Sequence, residues 1–249
     1  MPDFTANGHR LHYRELGHGD LLVLLPGNTA SSAHLQGELA YFGQSFHAVA
    51  LDFWGTGQSE RLPVWPDDWW QQGAVDAAAL ITRLNEAPAV IVGMSGGAAV
   101  ALYLALDFPH LVRAVIADSF TPTFPSGTLV REVNARLPAS PEAAYFWAVG
   151  HGADWQAVVA CDGDLCRQFD QSGGDFFGDR LKEVRCPVLF TASLADDLLV
   201  DVAAQNLAMV AQIPDSRVFF AREGAHPLMW SDPIAFRAAA NAFLGCLSS

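Results

Sequence analysis

Short runs of consecutive apolar residues recur along the chain and constrain its fold more than any other feature. The first, Leu21–Leu25, is apolar at every position and is closed by Pro26 and Gly27. A run of this kind, followed by turn residues, predicts a strand that is buried on both faces of a sheet. Five further candidate strands follow, at residues 48–51, 89–92, 114–117, 187–190 and 217–220.

Segments with helical spacing separate these candidate strands. Residues 68–84 carry apolar side chains every three or four positions, and residues 98–106 are apolar all round, which predicts a buried helix. Residues 200–213 and 232–244 predict two more helices. Buried strands that alternate with helices form a mostly parallel sheet with helices on both faces, so the sequence predicts the α/β class.

Two segments of the chain fall outside this alternation of strands and helices. Residues 4–6 and 9–13 resemble two strands, and the Asn-Gly pair between them supplies the positive φ angles of a tight hairpin turn. Residues 120–183 contain no strand-like run but hold short helical pieces and many aromatic residues. We therefore expect a core made of residues 1–119 and 184–249, with residues 120–183 inserted as a small helical cap over the C-terminal edge of the sheet.

Composition excludes several classes of protein. The chain has 249 residues, of which 51% are hydrophobic, so a large buried core is expected. The longest apolar run, residues 98–106, is far shorter than the roughly 20 residues of a membrane-spanning helix. A net charge of −13 argues against binding to nucleic acid or to an anionic membrane. The N-terminus lacks the pattern of an export signal and no Cys-x-x-Cys pair occurs, which predicts a cytoplasmic protein with reduced thiols.

One glycine-flanked serine directly follows a predicted strand. The sequence Gly-Met-Ser-Gly-Gly at 93–97 lies between the run at 89–92 and the helix at 98–106. A Gly-x-Ser-x-Gly turn in this setting needs small residues, because larger side chains would collide with the neighbouring backbone, and it exposes the serine at the edge of the sheet. Ser95 is therefore a candidate nucleophile; a helix-capping serine in a glycine-rich loop is the alternative.

A serine hydroxyl needs an imidazole to take its proton and a carboxylate to orient that imidazole. Among the eight histidines, His226 follows the last predicted strand and is expected at the same sheet edge as Ser95. Asp196, which follows the run at 187–190, is our candidate for the carboxylate. Asp197 beside it and Asp118 at the end of another strand are alternatives, and each of these residues could instead cap a helix.

An acyl-transfer site also needs two N–H groups that bind the oxyanion. The backbone N–H of Gly96, directly after Ser95, is one candidate. The second is expected in the loop after Leu21–Leu25, where Pro26-Gly27-Asn28 suggests the backbone N–H of Asn28. An ordinary Pro-Gly turn is the alternative for this loop.

Five features of the chain resemble the landmarks of the α/β-hydrolase family and occur in that family's order. They are residues 26–28, the glycine-rich turn at 52–59, residues 93–97, Asp196 and residues 224–226. The resemblance implies the α/β-hydrolase fold, with Ser95, Asp196 and His226 as a catalytic triad. It also implies an oxyanion hole formed by Asn28 and Gly96.

Within this family the chain is most similar to the biphenyl-hydrolase-like proteins. The stretches that carry this similarity are residues 24–27, 65–70, 162–167 and 184–187. Those hydrolases have an acidic residue directly after the nucleophile, which holds the α-ammonium group of the substrate. Here that position is Gly96, so a preference for amino-acid esters is not expected.

We therefore expect a serine hydrolase that cleaves small carboxylic esters through an acyl-enzyme intermediate, with no metal and no cofactor. Lactone opening, carbon–carbon bond hydrolysis and cofactor-free perhydrolysis on the same triad are alternatives, and so is a ligand-binding protein that retains the fold. Aromatic residues of the cap, together with Trp54 and His34, are candidates for the acyl pocket or for ordinary packing. The expected partner is a small-molecule ester, and the expected state is a monomer or a small homo-oligomer.

Overall fold

The predicted runs form the central strands of an eight-stranded sheet in the computed structural model, which describes residues 2–247. The order of the strands is β1-β2-β4-β3-β5-β6-β7-β8, with β3 to β8 parallel and the β1–β2 hairpin antiparallel at one edge. The predicted mostly parallel sheet is therefore confirmed. The strands are β1 (Asp3–Ala6), β2 (His9–Leu16), β3 (Leu21–Leu25), β4 (His47–Asp52), β5 (Ala89–Met94), β6 (Val112–Asp118), β7 (Val188–Ser193) and β8 (Ser216–Ala221).

Helices cover both faces of this sheet, because successive residues of each buried strand point to opposite sides. Val23 of β3 packs in the same cluster as Leu80 and Val100 of α2 and α3, whereas Leu24 packs in the cluster that contains Leu39 and Phe236 of α1 and α9. The helices are α1 (Gln36–Phe42), α2 (Trp69–Leu84), α3 (Gly96–Asp107), α4 (Thr128–Ala135), α5 (Pro141–His151), α6 (Trp155–Gln171), α7 (Val202–Gln212), α8 (Leu228–Ser231) and α9 (Pro233–Cys246).

A short helix that the sequence did not predict precedes the last helix of the chain. The helix expected over residues 232–244 corresponds to α9, which begins at Pro233, whereas the sequence did not predict the four-residue helix α8 that ends at Ser231. Asp232 lies between them, and its side chain accepts a hydrogen bond from the N–H of Ala235 at 3.0 Å. A capping aspartate followed by proline starts a new helix, which explains the break. Among residues 2–247, no helix is both long and apolar enough to cross a bilayer.

The register of the parallel strands brings their C-terminal ends to one edge. Gly93 of β5 pairs with Leu25 of β3, Met94 pairs with Asp118 of β6, and Asp118 pairs with Thr191 of β7. The loops that follow β3, β5, β6, β7 and β8 therefore open at the same side of the sheet. Residues from distant parts of the sequence meet there, as is usual for ligand sites in such sheets.

A helical insertion between β6 and β7 covers this edge. It contains α4, α5, α6 and a 3₁₀ turn at Arg180–Glu183, and we use the term cap for residues 120–183. Val158, Leu165 and Phe177 of the cap belong to the same buried cluster as the helices on the sheet. The cap therefore packs onto the main core.

Two histidines join α5 of the cap to segments of the sheet domain. His151 Nδ1 accepts the N–H of Gly57 at 2.9 Å, so its Nε2–H donates to the carbonyl of Thr29 at 3.0 Å. In the same way, His34 Nε2 donates to the carbonyl of Phe146 at 2.9 Å. Burial lowers the pKa of His151 to about 4, although the bond to Thr29 opposes this shift. His151 is therefore neutral at pH 7 and fixed in one tautomer.

Candidate active site

The turn after β5 holds Ser95 in a conformation that few residues adopt. Ser95 has φ 53° and ψ −123°, and its backbone N–H donates to the carbonyl of Asp118 at 2.8 Å. A Cβ atom on Gly93 would overlap the carbonyl of Gly97, and one on Gly97 would overlap the carbonyl of Leu25. Glycine is required at both positions for the chain to turn this sharply, and the turn leaves Ser95 half-buried at the sheet edge.

The structure brings the three predicted side chains together. His226 lies in the loop after β8, and its Nε2 atom is 2.9 Å from Ser95 Oγ. Its Nδ1 atom is 3.0 Å from Asp196 Oδ2. An ionised carboxylate only accepts hydrogen bonds, so Nδ1 carries the proton and Nε2 is free to accept one from the serine. The arrangement can therefore remove a proton from Ser95.

The two adjacent aspartates have different partners. The side chain of Asp196 is fully buried, and its second oxygen accepts the N–H groups of Leu198 and Leu199 at 3.0 and 2.9 Å. Asp197 accepts the backbone N–H of His226 at 2.8 Å. The imidazole therefore contacts Asp196, and Asp197 holds the main chain that carries it.

The pKa of Asp196 is lowered despite its burial. Burial by itself raises the pKa of a carboxyl group, but the hydrogen bond and the charge of His226 outweigh it, together with the two backbone N–H groups. Asp196 consequently remains ionised near neutral pH. An ionised carboxylate here stabilises the imidazolium that forms when His226 takes a proton.

Asp118, an alternative from the sequence, lies nearby in a different environment. Its oxygens accept the hydroxyl of Thr191 at 2.6 Å and the N–H of Met229 at 3.0 Å. Burial raises the pKa of Asp118 to about 7, and these two bonds oppose the shift. Within residues 2–247, the imidazole ring of His226 forms a hydrogen bond with the carboxylate of Asp196 and none with that of Asp118. Asp118 instead ties β6 to β7 and to the start of α8.

The two predicted oxyanion donors belong to residues that line the same cavity as Ser95. Gly96 is the first residue of α3, where a backbone N–H has no acceptor within the helix. Asn28 follows β3 in a turn in which the N–H of Ala30 donates to the carbonyl of Gly27 at 3.1 Å. In the described loops the N–H of Asn28 has no protein acceptor. Both N–H groups are therefore available to a ligand beside Ser95.

The side chain of Asn28 explains why position 96 is glycine. Asn28 Oδ1 accepts the indole N–H of Trp70 at 3.1 Å, and Asn28 Nδ2 donates to Asp162 Oδ1 at 2.7 Å. A Cβ atom on Gly96 would overlap Asn28 Oδ1. The amide of Asn28 therefore leaves no room at position 96 for the acidic side chain that the resemblance to the biphenyl-hydrolase-like proteins would imply. Sequence reasoning missed Trp70 and Asp162 here, although both lie in stretches that carry the subfamily resemblance.

If the N–H groups of Asn28 and Gly96 bind the oxyanion, a methyl group at position 96 is expected to weaken that binding. In Gly96→Ala the new Cβ displaces Asn28, so one N–H donor is lost and kcat for an ester falls by about 10²–10³. Steady-state hydrolysis of p-nitrophenyl butyrate measures the loss. Gly245→Ala in α9 is a matched control, because a Cβ there meets nothing within 4 Å.

The same account predicts partial rescue of this variant. Asn28→Ala removes the amide that the new methyl group meets but keeps the backbone N–H. The double variant should therefore recover part of the rate that Gly96→Ala loses. If Gly96→Ala alone were as active as the wild type, the assignment of the Asn28 and Gly96 N–H groups as oxyanion donors would be wrong.

Ser95 stands where two cavities meet. The inner cavity extends under the cap, whereas His226 lines the outer cavity. Asn28, Ser95, Arg136 and Leu198 line both of them. A substrate carbonyl at Ser95 would therefore have room on each side.

The walls of the cavities partly match the aromatic residues expected there. Phe124 and Phe176 of the cap line the inner cavity, and Phe146 lines the outer one. The suggestion that Trp54 lines the acyl pocket is wrong, because its ring stacks on His9 with 4.1 Å between centroids. His34 is likewise outside both walls and stacks on Phe146 at 3.9 Å.

Comparison with known proteins agrees with the fold. The model of the alpha/beta hydrolase family matches residues 22–240, and the chain belongs to that family. It is 27% identical to mouse serine hydrolase BPHL over 244 residues, which covers 90% of this chain and 79% of that protein. BPHL is among the biphenyl-hydrolase-like proteins that the sequence resembles.

Two further comparisons cover nearly all of the chain. The putative carbamate hydrolase RutD of Escherichia coli O139:H28 (strain E24377A / ETEC) is 28% identical over 239 residues, 88% of each protein. A hydrolase from Pseudomonas aeruginosa PA01 superposes with a TM-score of 0.79 at 20% sequence identity, with 98% of both chains covered. The structural match supports the fold, and the family match supports hydrolase activity.

Proposed function

We propose that the chain is a serine esterase that hydrolyses small carboxylic esters through an acyl-enzyme intermediate. The observation that carries the proposal is the position of His226, within hydrogen-bond distance of Ser95 Oγ on one side and Asp196 on the other. A serine is a weak nucleophile by itself, and this arrangement supplies the base that activates it. In this proposal the protein uses no metal or cofactor, and its partner is a small molecule.

The proposed reaction has two halves. Ser95 Oγ attacks the ester carbonyl while His226 Nε2 takes the hydroxyl proton, and the N–H groups of Asn28 and Gly96 stabilise the oxyanion. His226 then gives the proton to the leaving oxygen, the alcohol departs, and an acyl-Ser95 remains. Water deprotonated by His226 attacks the acyl group, and collapse of the second tetrahedral intermediate frees the acid and restores the serine.

The two cavities would hold different parts of the substrate. The leaving oxygen must receive its proton from His226, so the alcohol belongs on the side of the outer cavity, which His226 lines. The acyl chain then lies in the inner cavity, which Gly96 and the apolar side chains of Trp70 and Phe120 line. This division supports esters with a short and mainly apolar acyl chain.

A second candidate is hydrolysis of a carbamate by the same residues. It is favoured by the match to a protein named as a putative carbamate hydrolase, which extends over most of both chains. The triad and the oxyanion donors would act in the same way on a carbamate carbonyl. Three other reactions also need comparison: the opening of lactones, the hydrolysis of a carbon–carbon bond in diketones, and the formation of peracids.

A matched panel separates these possibilities. We expect p-nitrophenyl butyrate to be hydrolysed with a kcat/KM at least tenfold above that of p-nitrophenyl N-ethylcarbamate or δ-valerolactone, with a pre-steady-state burst of p-nitrophenol from the acyl-enzyme. A higher kcat/KM for the carbamate or the lactone would replace the esterase proposal with that activity. If the protein hydrolyses none of the three compounds, the result would favour a ligand-binding protein that retains the fold.

A further inference from the structure

Arg136 places a positive charge at the junction of the two cavities. It follows directly after α4 in the cap and lines the inner and the outer cavity together with Ser95. Its side chain is 24% exposed. Most of the inner wall is apolar, so a guanidinium group beside the nucleophile is unexpected for a site that binds only hydrocarbon chains.

A buried carboxylate holds this guanidinium group over the site. Asp162 of α6 is fully buried, and its Oδ2 accepts a hydrogen bond from Arg136 Nη1. Its other oxygen accepts the side-chain amide of Asn28. The ion pair keeps the arginine beside the oxyanion loop rather than extended into solvent, and the charge of Asp162 helps to raise the pKa of Arg136 although burial opposes it.

Most of the donors of Arg136 remain available. A guanidinium group has five N–H donors in a planar fork, and within residues 2–247 the side chain of Arg136 makes one hydrogen bond, the one to Asp162. Paired N–H groups of this kind bind a carboxylate through two parallel hydrogen bonds. The spare donors therefore form a potential site for an acidic group.

A negatively charged residue, Glu132, also lines the inner cavity and would oppose the binding of an anionic group there. Glu132 lies one turn before Arg136, and among the described residues it forms no ion pair within 4.0 Å. Its carboxylate repels an anionic substrate and attracts a cationic one. Arg136 lines both cavities beside Ser95, whereas Glu132 lines only the inner one, which favours the arginine as the anchor.

We propose that Arg136 binds a carboxylate at the far end of the acyl chain, so that the preferred substrates are monoesters of short dicarboxylic acids. This inference rests on the proposed esterase function and narrows its substrate class. Asp162 is a positioning residue that holds Arg136, and Arg136 contacts the substrate.

Two esters that differ only in the terminal group test the inference. Mono-p-nitrophenyl glutarate and p-nitrophenyl pentanoate have acyl chains of equal length, ending in a carboxylate and a methyl group. We expect the wild type to have the higher kcat/KM for the glutarate ester. Arg136→Gln should lower the glutarate-to-pentanoate ratio by about tenfold to a hundredfold, the usual effect of losing a charge-assisted hydrogen bond.

Three further variants separate recognition from folding and from general charge effects. Arg136→Gln combined with Asp162→Asn leaves no unpaired buried charge and should lower the ratio equally. Arg131→Gln removes the same charge from an exposed position of α4 outside both cavities and should leave the ratio unchanged. Glu132→Gln should raise the ratio by removing the repulsion. Because both esters are measured on one preparation, the ratio does not depend on how much protein is folded.

The possible outcomes distinguish this inference from the proposed function. If Arg136→Gln slows both esters equally, Arg136 has only a structural role and the inference is overturned, while the esterase function stands. A wild-type preference for an acyl chain that ends in a trimethylammonium group, lost in Glu132→Gln, would overturn it in favour of a cation site. A wild type that hydrolyses neither ester would refute the proposed function and this inference together.

Discussion

Replacing Ser95 by alanine is expected to lower kcat for p-nitrophenyl butyrate by at least about 10⁴-fold. Without Oγ no acyl-enzyme forms, and only binding and the oxyanion donors can assist direct attack by water. The fold should persist, because the backbone N–H of Ser95, not its side chain, bonds to Asp118. The measurement compares purified wild type and variant at equal concentration, with circular dichroism as the check on folding.

A second serine variant controls for the substitution itself. Ser45 is exposed between α1 and β4, far from the loop that carries Ser95, and Ser45→Ala should retain the full rate. If Ser95→Ala kept more than a tenth of the wild-type kcat, Ser95 would not be the nucleophile. The glycines around it would then be explained by the turn alone.

Asp196→Asn is the second large expected effect, a loss of about 10⁴-fold in kcat. The amide that replaces the carboxylate can donate to His226 Nδ1, which favours the tautomer that carries its proton on Nε2. A histidine in that tautomer cannot accept the proton of Ser95. The amide also has no charge with which to stabilise the imidazolium. Because the change removes only a charge and an acceptor, KM should change much less than kcat.

Asp118→Asn is an informative comparison, because Asp118 is one of the two alternatives to Asp196 that the sequence left open. Its oxygens are bound to Thr191 and Met229, so we expect its kcat to remain within about tenfold of the wild type while its unfolding temperature falls. A larger loss of kcat in Asp118→Asn than in Asp196→Asn would reverse the assignment of the acid.

The sheet could be predicted from the sequence because each buried strand is a local signal. Runs such as Leu21–Leu25 are apolar at every position, and a strand covered on both faces by helices requires this pattern. The helix α8 was missed, because its four residues are too few to show the apolar spacing of a helix.

The candidate site could be predicted as far as it depends on the ends of strands. Ser95 and His226 each follow a strand directly, and parallel strands bring such positions to one edge. Asp196 and Asp197 occupy the same loop, so their order along the chain could not separate them. Their roles differ because one side chain reaches the ring of His226 and the other its backbone N–H.

The polar residues in and around the inner cavity could not be predicted from the sequence. Arg136, Asp162 and Asn28 are joined by hydrogen bonds across more than a hundred residues of chain between Asn28 and Asp162. The spacing of these residues along the chain does not predict their contacts, because the loops that connect the cap helices determine where those helices lie. The sequence left Trp54 open between the acyl pocket and ordinary packing for the same reason, and in the structure its ring packs on His9.

Covalent labelling of Ser95 tests the central claim most directly. The wild-type protein is treated with a fluorophosphonate at pH 7.5, its intact mass is measured, and the modified peptide is sequenced by mass spectrometry. The proposed mechanism predicts one phosphonyl group per chain, attached to Ser95, and slower labelling by several orders of magnitude in Asp196→Asn. A folded wild-type chain that remains unlabelled, or a label at another residue, would contradict it.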